Sequence, residues 1–99
     1  MLDSLTAADF QAHLNEVFMI NLEDGQIYAL TLLRVTERGE PYMPGARRPF
    51  DLLYQNPNKG SYLPQRIYRL EHPQMGALEL FIVPLGSDQH GMLYEIIFS

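Results

Sequence analysis

A chain of 99 residues, 46% hydrophobic and 19% charged, is long enough for one globular domain, read as residues 1–99, with a single core. Its formal charge of −5 repels phosphate backbones and argues against nucleic acid as a partner. With no Cys there are no disulfides, thiolate nucleophiles or Cys-based zinc sites, which fits a reducing cytoplasm.

The first residues, MLDSLTAADF, carry neither a basic leader nor a long apolar run, so neither a signal peptide nor a membrane span is expected. LTAADFQAHLN reads as the only helix, about three turns at most. Thr6 and Asp9 have the spacing of a capping box, Leu5 and Phe10 that of a hydrophobic staple, and Asn15 is the expected stop. The pattern then changes to a period of two. VFMINL and IYALTLLRVTE flank EDG, a hairpin signal. The Leu32–Leu33 doublet switches the apolar parity within one run, which predicts a β-bulge or bend. Residues 38–49, RGEPYMPGARRP, form a loop by their Gly and Pro content. FDLLYQN is a strand and NPNKGS a turn cluster. IYRLEHPQMGALELFIVPLG, residues 67–86, is a hairpin around PQM, GSDQHG a loop, and MLYEIIFS a last strand. About six antiparallel strands and one short N-terminal helix predict a mainly β fold, a small barrel or strongly curled sheet with the helix packed on it.

The alternation in residues 67–86 selects one register, with His72 opposite Gly76, Leu70 opposite Leu78 and Arg69 opposite Glu79. Arg69 and Glu79 are thereby expected as a surface ion pair. His72 is expected to cap the turn. Glu71 and Glu79 lie on one face, but nothing in the pattern provides the desolvation that acid–base catalysis needs.

At this stretch the chain resembles a family of small bacterial proteins classed as a domain of unknown function. The matching segments are FQAHLN, PGARRPF, LPQRIYRLEHPQMGALELFIVPLG and GMLYEIIF, which together span nearly the whole chain. The resemblance implies no activity, cofactor or catalytic residue, and associates the chain with phage-tail-like genes.

Other constellations read as structure. Ser87, Asp88 and His90 are turn chemistry rather than a triad, whose members usually come from separate parts of a chain. His13, His72 and His90 are scattered, with no metal-ligand spacing, and no phosphate loop occurs. The expectation is therefore no catalytic residue, no metal and no cofactor. The best candidate for interaction is the 38–49 loop, where Tyr42, Met43, Arg47 and Arg48 are residue types enriched at protein interfaces. Alternatively, Tyr42 and Met43 fold back over the barrel mouth while the arginines bond carbonyls or surface acids. The last strand is apolar on both faces, which predicts cover on both sides and, at a sheet edge, pairing with another chain. Taken together, the sequence reads as a non-enzymatic, cytoplasmic interaction or structural module with a protein partner or a second copy. The alternative is a barrel binding a small ligand, or less favourably a hydrolase.

Overall fold

The computed structural model describes residues 2–60 and 62–99; Ser61, the end of the expected NPNKGS turn, lies outside them. A 3-10 turn (Leu2–Ser4) and a short helix α1 (Ala7–Gln11) precede β1 (Val17–Asn21), β2 (Ile27–Glu37), β3 (Phe50–Asn56), β4 (Arg66–His72), β5 (Gly76–Asp88) and β6 (Gly91–Phe98). The strands close into an antiparallel barrel in the order β1-β2-β3-β6-β5-β4. No helix among the described residues is long and apolar enough to cross a membrane.

The helix is shorter than its periodicity suggested. Asp9 closes the cap, its carboxylate accepting from the Thr6 backbone N–H at 2.8 Å. The chain then tightens, the His13 N–H reaching the Phe10 carbonyl, and Asn15 ends the segment at φ 69°. That left-handed conformation suits Asn, and it lets the Asn15 N–H donate to the Leu32 carbonyl. Phe10 is fully buried and packs against Phe18, Phe50 and Phe98, so α1 plugs one end of the barrel.

The β4–β5 hairpin adopts the expected register residue by residue, from Arg66 opposite Ile82 to His72 opposite Gly76. The Leu32–Leu33 doublet is a bulge: Leu32 pairs with Tyr54 and Arg34 with Leu53, leaving Leu33 without a partner. A second bulge at Leu85 falls where β5 passes from Pro84–Tyr94 to Gly86–Leu93. Strand β6 lies between β3 and β5, which removes the free edge envisaged for the last strand. Its pairing with β5 runs only from Val83–Glu95 to Asp88–Gly91. Between β1 and β4 closure rests on the single pair Met19–Glu71, supported by Asn21 Nδ2 donating to Glu71 Oε1 at 3.1 Å.

Large side chains fill the barrel axis. Tyr54, Tyr94, Phe10, Phe18 and Phe50 are fully buried, with Leu30, Leu32, Leu52, Leu70, Ile82 and Ile96 between them. Tyr94 carries its polar end to partners, its hydroxyl lying 2.6 Å from that of Tyr28 and accepting from the Leu63 N–H at 2.8 Å.

Candidate functional site

The 38–49 loop divides by residue type. Its base is closed by the Arg38 N–H donating to the Pro49 carbonyl at 2.7 Å. Arg47 turns back onto the body of the protein. Its Nη1 donates to the carbonyls of Leu2 at 2.6 Å and Leu5 at 2.7 Å, and its Nε to the Ser99 carbonyl at 3.1 Å. The same guanidinium lies over the rings of Phe98 and Phe50, at 5.2 and 5.7 Å. Arg48 donates to the Gly39 carbonyl at 2.9 Å and pairs with Glu37 at 3.6 Å. Both arginines are thus committed to the protein itself. Tyr42 and Met43 behave oppositely: they are 78% and 51% exposed and do not cover the barrel mouth. Of the four candidate residues, two build the loop and two are presented by it.

A second cluster joins three residues that the sequence kept apart. His13 follows α1, Glu16 precedes β1, and His72 ends β4; their ligand atoms all lie within 4.8 Å of one another. His72 is almost wholly buried, while Glu16 is half-exposed. The Gln74 and Met75 backbone N–H groups donate to His72 Nδ1 at 3.1 and 3.2 Å, so His72 caps the hairpin turn as its position suggested. An Nδ1 that accepts carries no proton, and the ring proton therefore resides on Nε2. It is donated to Glu16 Oε1 at 2.7 Å. His13 Nδ1 lies 2.9 Å from the same oxygen and donates to it.

Two histidines and a carboxylate are a reasonable zinc donor set, but the hydrogen bonding does not fit one. A ligating histidine presents a bare nitrogen to the metal and donates its other N–H outward. Here His72 has the reverse arrangement: its metal-facing nitrogen is protonated and its far nitrogen accepts from two backbone N–H groups. The arrangement instead suits a lock between the helix end, β1 and the β4–β5 turn. Hydrogen bonds from His72 and then His13 hold the Glu16 carboxyl below its ordinary value, against a smaller opposing effect of burial. The i, i+3 spacing of His13 and Glu16 is visible in the sequence, but the third member comes from 56 residues beyond Glu16.

The remaining candidates do not converge with either group. Asp88 Oδ1 accepts from the His90 N–H at 2.7 Å and the Gly91 N–H at 3.1 Å, which caps the β5–β6 turn. The backbone donor of His90 is the main cause of the lowered Asp88 carboxyl pKa. Arg69 and Glu79 are register partners, yet the ion pair expected between them is replaced by Arg69–Glu71, 3.3 Å apart on the same strand. Residues two apart in a strand share a face, so Glu71 competes with Glu79 for the same guanidinium.

No curated protein and no solved structure matches this chain. A family model does, over residues 5–98, which takes in α1, every strand and both clusters, and the chain belongs to that family, the domain of unknown function DUF6916.

Proposed function

We propose that this protein is a non-enzymatic interaction module that docks a protein partner on the Tyr42–Met43 tip of its 38–49 loop. One observation carries the reading: two large side chains stand in water, 78% and 51% exposed, on a loop whose base is fixed by Arg38, Arg47 and Arg48. An anchored loop loses little conformational freedom on binding, so burial of its apolar tip goes mostly into affinity. Tyr combines a large apolar area with a polar end, which suits the centre of an interface. The setting, a bacterial assembly of phage-tail-like kind, is drawn from the sequence resemblance alone. The filled barrel axis works against the ligand-binding alternative, since a small-molecule site needs a concave chamber.

Affinity capture from native cells tests the reading. The wild type should recover a specific partner, and Tyr42→Ala/Met43→Ala should weaken that complex about thirtyfold, a loss typical of an interface centre, at unchanged thermal stability. Equal recovery by both proteins would overturn it.

A further inference from the structure

The outer face of the β4–β5 hairpin carries two adjacent rows fixed by register, Ile67 opposite Phe81 and Arg69 opposite Glu79. All four side chains are exposed. Ile67 is 62% and Phe81 49% accessible, and Ile97 on β6, at 56%, extends the apolar area on the far side of β5. Glu79 makes no hydrogen bond or ion pair among the described residues, and Arg69 is satisfied only by a neighbour on its own strand.

We infer that this face docks a second copy of the same chain across a two-fold axis parallel to the strands, midway between β4 and β5. That operation exchanges the two members of each row. Phe81 of one copy then faces Ile67 of the other, and Glu79 of one copy faces Arg69 of the other, each contact occurring twice. The face is therefore complementary to itself in both apolar character and charge, as an isologous interface requires. Face-to-face packing of aligned strands is a standard sheet arrangement. The unpaired Glu79 carboxylate gains the cation that Glu71 takes from it within the monomer. The other exposed apolar row, Val17 and Met19 on β1 with Ile27 on β2, has Thr31, Ala29 and Asn21 as register partners and no opposite-charge pair. Of these two rows of described residues, the β4–β5 one is the self-complementary one. A net charge of −5 per copy opposes association, so the dimer is weak and best seen at high concentration.

Sedimentation equilibrium up to a few hundred micromolar should show a reversible dimer. Glu79→Arg alone and Arg69→Glu alone each set like charges opposite one another twice and should weaken it by about tenfold or more. An equimolar mixture of the two single variants makes both facing charge contacts opposite in sign, so it should form a mixed dimer at least as tight as the wild type. This rescue occurs between molecules and is independent of any charge contact within the hairpin. Tyr42→Ala/Met43→Ala should dimerise like the wild type, which separates this face from the loop. A wild type that stays monomeric throughout, or a mixture no tighter than its components alone, would overturn the inference.

Discussion

Glu16 shows how much one half-exposed side chain can organise. A single carboxylate oxygen accepts from His72 at 2.7 Å and His13 at 2.9 Å, joining the helix end to the β4–β5 turn. These donors favour the ionised form, so the folded-state pKa lies below the ordinary value of 4.5. A depressed carboxyl pKa contributes stability that is fully present above the unfolded value and is lost as pH falls through the folded one. Thermal unfolding followed below pH 4.5 should therefore show a wild-type midpoint that drops steeply with acid. Glu16→Gln should start lower at neutral pH and show a shallower fall. Parallel curves would mean that Glu16 is not held by the two imidazoles. Asp88 titrates in the same direction, its carboxyl lowered chiefly by the His90 backbone, and contributes the residual slope that the variant retains.

At the scale of elements, what was legible in the sequence was whatever a short period encodes. The β4–β5 register follows from alternation, because a one-residue slip would set Leu70 against Glu79. The Leu32–Leu33 parity switch marked a bulge for the same reason. The apolar spacing overstates the helix because Leu14 continues it after Phe10, while the chain has to leave the helix by Asn15 to reach β1. The Glu16 cluster was out of reach, since no local pattern states which end of β4 the barrel brings to the helix. Gly91 likewise carries no sequence signal beyond turn composition. It opens β6 at φ 146°, and a Cβ there would lie 2.0 Å from the Asn56 carbonyl oxygen and 2.7 Å from the Pro57 Cα. Those are backbone atoms of the β3 exit, so neither can step aside as a flexible side chain would. Gly91→Ala should accordingly cost about 3 kcal/mol or more, combining strain and overlap. Gly45→Ala, at φ 84° with nothing within 4 Å, is the control and should cost about 1 kcal/mol from strain alone. Equal urea midpoints for the two variants would refute the close-approach argument.

Across the whole molecule, Arg47 ties the segment ahead of α1, which lies outside every strand ladder, to the β3–β6 end of the barrel. From the loop it binds the carbonyls of Leu2 and Leu5 ahead of α1 and that of Ser99 beyond β6, and it covers the Phe50–Phe98 stack that closes this end of the barrel. The rings stack at 4.5 Å with Phe10 against both, so the guanidinium lies on the rim of the core that α1 plugs. Lysine keeps the charge but cannot replace this fork, because one ammonium on a flexible stem does not span three carbonyls and two ring faces. Arg47→Lys should therefore lower stability by about 1–2 kcal/mol, the range for losing charge-assisted hydrogen bonds that water partly replaces. Arg47→Met, which keeps the apolar contact and removes every donor, should lower it by about 2–3 kcal/mol. Hydrogen exchange should quicken together in three places, residues 2–5, the 38–49 loop and the end of β6, because one side chain restrains all three. Quickening confined to the loop would show that Arg47 braces only its own segment. In both variants partner binding should weaken even though Tyr42 and Met43 are unchanged, because a loosened loop must be ordered again on docking. Full affinity on a mobile loop would remove the argument that anchoring is what fits this tip for its role.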